Sequence, residues 1–494
     1  MAKTIDEIKL ESRAWLEKQL ALGQFVFSKT SLDKSTHIYL EQELVIADLN
    51  NQYVFIKAEH ESRTNAFKNN LWVLLLQFLD LAFDDGWYFT GHYAYQLSVD
   101  NFSMKQNQIT IATRKKSNNL IDLPGEIKVV ASYDKEFDSK AIEQKTFLAT
   151  NYTLLKPELL VIKSTETEYR NYQDEIISHL KSSERDESFI LEYFNQNSQP
   201  VLQARLIGAL RAIDDSTLRI ELEKQLKLTK VKISIRNPFS QLTLTESRER
   251  PTYLNRFELS MQKAINQLKQ MDKPRRLSKK LGTKDLDQLV IDDTYHSLTI
   301  EGYTVTRDLL EYLKKEDSLP NSFPEDLRNQ LAAKGFMNVL AYIRELNKSK
   351  FVINERLSYK LFQELWKPSI SANLVRAELD VYRKHMVAII GAQYVPPAHE
   401  KVPYMLDEVF DYLHKIDNGF ELGIFLHFFY VGVHPHGDGN GRISRFLMNL
   451  AFIQDKYKWL TIPSEDKKNY FAALEKSQLE DNISYFAEYI KSQY

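Results

Sequence analysis

Apolar positions recur every three or four residues over most of this chain, and alternate only in a few short runs. Helical spacing predicts a helix from Ile5 to Leu20, followed by the strand-like runs Gln24-Phe25-Val26-Phe27 and Tyr53-Val54-Phe55-Ile56. A long apolar helix is expected over Leu71–Phe83. After Trp87-Tyr88-Phe89 come two strands, Gln108–Thr113 and Glu126–Ala131, parted by the turn Leu123-Pro124-Gly125. From about Tyr169 to Lys230 the period is helical, with Ile176, Ile177, Leu180, Leu206, Leu210 and Ile213 at core spacing. The polar piece Arg236–Arg250, with Pro238 inside it and Pro251 just after, reads as a linker. Beyond it helical spacing runs to the C-terminus. Met405, Leu406, Val409, Phe410 and Leu413 form one stripe; helices are expected over Leu422–Tyr430 and Ile443–Gln454. The expected organisation is an α+β module over 1–165, a helical connector and linker over 166–250, and a helical domain over 251–494.

Composition narrows the function only a little. With 494 residues, the chain is too long for one core. A net charge of −2 gives no bulk basic field for nucleic acid. The lack of cysteine removes disulfides, thiolate nucleophiles and zinc-thiolate sites, and suits a cytoplasmic protein. Met1–Leu20 is too mixed in charge for a secretory signal. The apolar run Leu71–Phe83 is too short, and too interrupted by Gln77 and Asp80, to span a bilayer, so no membrane partner is expected.

The chemistry concentrates in Val433-His434-Pro435-His436-Gly437-Asp438-Gly439-Asn440-Gly441-Arg442-Ile443-Ser444-Arg445, between two expected helices. Gly437, Gly439 and Gly441 let the backbone turn where a side chain would clash. The turn at Asn440 and Gly441 leaves the N–H groups of the next helix free for phosphate. Arg442 and Arg445, three apart, share that first turn and suit phosphoryl oxygens. Asp438 is a hard oxygen ligand of the kind that Mg²⁺ uses beside substrate phosphates. His434 can take a proton near neutral pH. Neither the dinucleotide glycine spacing nor a P-loop lysine is present. The pair His434/His436 is not followed by any histidine that would complete a metal-hydrolase site.

This run closely resembles the motif of the Fic family, His-x-Phe-x-Asp/Glu-Gly-Asn-Gly/Lys-Arg-x-x-Arg, and Phe425-Leu426-His427-Phe428-Phe429 resembles the helix leading into it. The resemblance implies a mainly α fold: a helical core with a β-hairpin flap, here preceded by the α+β module. It also implies a protein adenylyltransferase that moves AMP from ATP to a Tyr, Thr or Ser hydroxyl. By it, His434 is the base, Asp438 holds Mg²⁺, Gly439, Asn440, Gly441 and Arg442 bind the α- and β-phosphates, and Gly437 belongs to the same nucleotide-binding loop. Arg445 meets the γ-phosphate. Asn469 to Leu474 resembles a stretch that flanks adenine in related proteins, with Tyr470 stacking on the base. One position departs: His436 stands where the family has Phe, so a looser or pH-sensitive loop is expected.

Two further stretches extend the resemblance. Ser297-Leu298-Thr299-Ile300-Glu301-Gly302 is similar to the family's inhibitory motif; Ser297 and Glu301 share a helix face, and Glu301 would pair with Arg445. The segment Ile389–Pro397 resembles the flap that docks a target protein by strand-edge pairing. Self-modification and a homodimer are compatible expectations. Two other functions stay open: a Fic enzyme that transfers another phosphate-containing group or removes AMP, and a nucleic-acid-binding regulator with an inactive core. The second comes from Tyr88–Leu97 and Ile111–Lys116, which faintly resemble type IV antitoxins.

Overall fold

The computed structural model describes residues 4–84, 86–116, 119–240, 250–316, 318–319, 326–375, 381–389 and 391–494. The chain divides into two compact units. One comprises Met1–Arg256 with Ala388–Ala392; the other comprises Phe257–Val387 and Gln393–Tyr494. Helix makes up 59% of the structure, which places it in the mainly helical class.

In the first unit, β1 (Val26–Ser28), β3 (Tyr53–Ile56) and β2 (Ile46–Asp48) make a small antiparallel sheet in the order β1-β3-β2. A second sheet has the order β6-β7-β5-β4-β9-β8, from β4 (Trp87–Thr90), β5 (Gln108–Thr113), β6 (Asn119–Leu123), β7 (Ile127–Tyr133), β8 (Ile142–Phe147) and β9 (Thr150–Leu155). It is mixed, because β5/β7 and β4/β9 are parallel. The helix Leu71–Phe83 buries Leu74, Leu75, Leu76, Phe78 and Leu79, and the Trp72 indole donates to the Phe102 carbonyl at 2.6 Å. Ile176, Ile177, Leu180, Leu206, Leu210 and Ile213 are buried, as their spacing predicts. In the basic turn, Arg114 lies over the Phe137 ring and Lys115 donates to the Ala82 carbonyl. Of the expected linker, residues 241–249 lie outside the described residues.

The second unit is built around the helix Gly419–Val433, in which every residue but Leu422 is buried. A helix apolar on all sides belongs at the centre of a core. Its one buried carboxylate, Glu421, is paired with Lys273 at 2.6 Å. Asn418 caps it through the N–H groups of Phe420 and Glu421. The helix Asn440–Gln454 packs back along it. Gly423 permits the close approach, since a Cβ there would sit 2.6 Å from the Met448 carbonyl oxygen. Both helices are longer than periodicity predicts: full burial leaves no polar face to mark their ends.

The helix Thr283–Ile300 ends where Ser297–Gly302 predicts: Glu301 is its C-cap and Gly302 follows at φ 87°. The flap departs from expectation. Among the described residues no β-ladder joins the two legs of 381–397, and Ile390 lies outside the described residues. Pro396 and Pro397 cannot donate to a ladder. The base of the segment is closed by side chains instead. Among the described residues, no helix is long and apolar enough to cross a membrane.

Candidate active site

His434 terminates the central helix in a left-handed conformation (φ 54°, ψ 59°), its N–H still bonded to the Tyr430 carbonyl at 3.0 Å. Its Nδ1 lies 3.1 Å from the Val431 carbonyl oxygen. A carbonyl can only accept, so Nδ1 carries the proton and Nε2 keeps a bare lone pair. Burial lowers the pKa of this imidazole below its usual value, and the Arg383 charge adds to the effect; the bond to the Val431 carbonyl, Glu301 and Asp438 oppose it.

The loop that follows is held by Asn440. Its Oδ1 accepts from the His436 N–H at 2.9 Å and its Nδ2 donates to the His436 carbonyl at 2.8 Å. Gly439, at φ 92°, turns the chain into the next helix, which has no side-chain cap. The first N–H groups of that helix therefore stay free for an anion.

His436 fills the slot of the usual Phe. Its ring stacks on Phe362 (centroids 3.7 Å apart, 8° between planes), and Nε2 lies 2.9 Å from the Tyr430 hydroxyl. Nδ1, near the Val381 backbone, has no aligned hydrogen-bond partner among the described residues. Burial lowers its pKa to about 3. The expected pH-sensitive loop is therefore corrected: a ring so desolvated stays neutral across the neutral range and acts as an aromatic wedge.

The two arginines differ. Arg442 is 1% exposed, sandwiched between the Tyr303 and Trp366 rings at 5.0 and 5.5 Å. Its Nη2 lies 3.1 Å from Asp438 Oδ1 without hydrogen-bond alignment, and Nε has no acceptor among the described residues. Buried guanidinium donors that lack acceptors suit an anionic ligand. Arg445 is engaged by the end of the helix Thr283–Ile300: Nε donates to Ser297 Oγ at 2.9 Å, and Nη2 to the Ser297 carbonyl at 3.2 Å and to Glu301 Oε1 at 2.7 Å. The same Oε1 would be 2.4 Å from a Cβ on Gly441. The Glu301 carboxylate thus sits on the first turn of the helix, where an anion belongs. The Ser297/Glu301 face predicted from spacing is brought to Arg445.

Asp438 is half-exposed and accepts from the Tyr303 hydroxyl at 3.3 Å. No group of three His, Asp or Glu side chains that could hold a metal by themselves exists among the described residues. One exposed carboxylate fits a Mg²⁺ that takes most of its ligands from phosphates and water. Gly437 is exposed on the loop. Tyr470 is not placed beside this cradle as a free ring. It is 1% exposed, its hydroxyl is 2.7 Å from His427 Nε2, and the exposed neighbouring aromatic is Phe471. Reasoning from spacing missed Arg383, Tyr303 and Trp366. They carry no motif, and only the fold brings them to the loop.

A helix start without a side-chain cap, an imidazole with a bare Nε2 and buried arginines on that helix's first and second turns, Arg442 and Arg445, are a set of groups suited to phosphate. Residues 356–452 match the Fic/DOC family, and the chain carries a domain of that family. A probable protein adenylyltransferase of Aquifex aeolicus is 26% identical over 200 residues, 39% of this chain and 56% of that protein. The protein adenylyltransferase Fic of Aedes aegypti is 24% identical over 208 residues, 40% of this chain and 39% of that protein. The chain thus spans about half or less of the length of these curated relatives. A Fic-domain signalling protein of Bacteroides thetaiotaomicron is similar over 47% of this chain and 91% of its own, at 22% identity and a TM-score of 0.37.

Proposed function

We propose that this chain transfers AMP from ATP to a Tyr, Thr or Ser hydroxyl of a target protein, and that Glu301 restrains it. The reading is supported by one arrangement: His434 keeps a bare Nε2, and, a few residues on, the helix that starts at Asn440 has a carboxylate from a separate segment lying on its first turn and paired with Arg445. The names of the curated relatives support the transferred group.

His434 Nε2 accepts the proton of the target hydroxyl as its oxygen bonds to the α-phosphorus. The bond from that phosphorus to the bridging oxygen breaks, and pyrophosphate leaves with the electron pair. The free N–H groups after Gly439, with Arg442, steady the charge that develops on the phosphates. Asp438 would hold Mg²⁺, which when bound neutralises phosphate charge. Arg445 takes the terminal phosphate once Glu301 releases it. Tyr470 acts through Arg445, beside which its hydroxyl lies, rather than by stacking on adenine. The segment near Ile389–Pro397 receives the target, and a residue of this chain can serve as the acceptor in self-modification.

The test is incubation of Glu301→Gly protein with Mg²⁺ and ATP labelled at either the α- or the γ-phosphate. Label from α but not γ, appearing on protein and lost when His434→Ala is added, is the expected result. Label from γ alone, or none from either, rejects AMP transfer.

A further inference from the structure

Arg383 is 7% exposed; among the described residues it makes no direct ion pair, although the Glu400 carboxylate and the Tyr394 hydroxyl act on its charge from a distance. A buried cation without a contacting counter-ion is costly, so its hydrogen bonds have to be good. All of them go to backbone carbonyls. Nε donates to His434 at 2.8 Å, Nη1 to His385 at 2.9 Å, and Nη2 to Pro397; the Arg383 N–H donates to the Pro435 carbonyl at 2.8 Å. Burial lowers the pKa of the guanidinium to about 10, which leaves it charged at neutral pH.

These acceptors lie on three separate stretches of chain. His385 and Pro397 bracket the segment expected to dock the target. His434 and Pro435 are the peptides just past the central helix, where a non-glycine residue sits in the left-handed region. Such a conformation persists only when its surroundings hold it. Holding both carbonyls fixes the peptide planes on either side of Pro435, and with them the direction of the imidazole. A second tie runs parallel: the Tyr394 hydroxyl donates to the Gly432 carbonyl at 2.9 Å.

We propose that Arg383 is a positioning residue for the base, clamping the two ends of the docking segment to the backbone of His434 so that target and imidazole are set by one guanidinium. The inference rests on the reading that His434 is the base and 389–397 the docking segment. The charge serves the same end, since it lowers the His434 pKa against the opposing pull of Glu301 and Asp438, with His436 neutral alongside. A lysine keeps a charge here but lacks the planar fork that reaches three carbonyls.

The experiment compares Arg383→Lys and Arg383→Met, each in full-length Glu301→Gly protein, by labelling with α-labelled ATP and by amide hydrogen exchange without nucleotide. Expected for Arg383→Lys is a fall in kcat of at least about thirtyfold with KM for ATP within about threefold, because the phosphate cradle is untouched. Exchange in peptides covering 381–398 and 431–438 should quicken about tenfold or more, while the helix Asn440–Gln454 stays protected. Unchanged exchange in both variants overturns the clamp, as does kcat within about twofold of the parent. Loss of protection throughout both variants also overturns it, because Arg383 would then be a fold residue only. If the parent Glu301→Gly protein labels nothing, AMP transfer fails, and the exchange data alone decide the clamp.

Discussion

Glu301 Oε1 lies 2.7 Å from Arg445 Nη2 and against the Cα of Gly441, so one carboxylate meets both the arginine and the first turn of the helix Asn440–Gln454. These are the two features that an anion bound at this helix start would use. Glu301 is the C-cap of another helix, Thr283–Ile300, so none of the loop's or the helix Asn440–Gln454's own backbone bonds depend on it.

Glu301→Gly should therefore raise AMP incorporation. A charge-assisted hydrogen bond is worth roughly 1.5–3 kcal/mol, or about ten- to a hundredfold. Glu301→Gln, which keeps the shape and loses the charge, should fall between the two. Rates of labelling from α-labelled ATP check this; equal rates in all three forms would remove the brake from the account.

The pH–rate profile should carry the signature of His434. Its folded pKa lies below the free value because burial disfavours the imidazolium, so Nε2 stays unprotonated to a lower pH than a free histidine would. The rate in Glu301→Gly protein should be flat from pH 8 to about 6.5, the free value, and fall only below it. A midpoint above pH 7 contradicts the assigned environment.

His436 should affect stability rather than turnover. Unfolded, it binds a proton near pH 6.5; folded, not until about pH 3. Its contribution is fully present above the unfolded value and is lost as pH falls toward the folded one, by up to about 1.4 kcal/mol per pH unit. His436→Phe should flatten the decline of Tm between pH 7 and 5 and leave the transfer profile between pH 6 and 8 unchanged. A wild-type slope in the variant would mean that other histidines dominate.

Asn440→Ala leaves the His436 N–H and carbonyl unpaired in a buried loop, at a cost of about 2–4 kcal/mol. Asn440→Asp keeps the acceptor and loses the donor, and should recover roughly half of that. Denaturant unfolding measures both. Equal stability of Asn440→Ala and wild type would show the loop to be held elsewhere.

Much of the site was legible before any coordinates. The run His434–Arg445 specified a turn into a helix, because its glycines and the spacing of its arginines are local properties. Ser297 and Glu301 were readable for the same reason: four residues on a helix is a fixed distance. The helix ends were less legible, since Gly419–Val433 is buried on every side and shows no polar face. The flap was expected only from its resemblance to the family's docking hairpin. In the fold its base is closed by Arg383, whose partners are carbonyls that every residue possesses.

What the sequence determined alone is the set of groups offered within short stretches: an imidazole, a glycine-rich turn into a helix with arginines on it, and a carboxylate beside a glycine. Tertiary structure decided which of two nitrogens on His434 is free, that His436 is a desolvated wedge, and that Tyr470 is turned into the core. It also brought Glu301 across 144 positions of chain onto Arg445. The reason is physical. Residue type and spacing fix what a segment can offer locally, but desolvation and long-range hydrogen bonds exist only once distant segments pack.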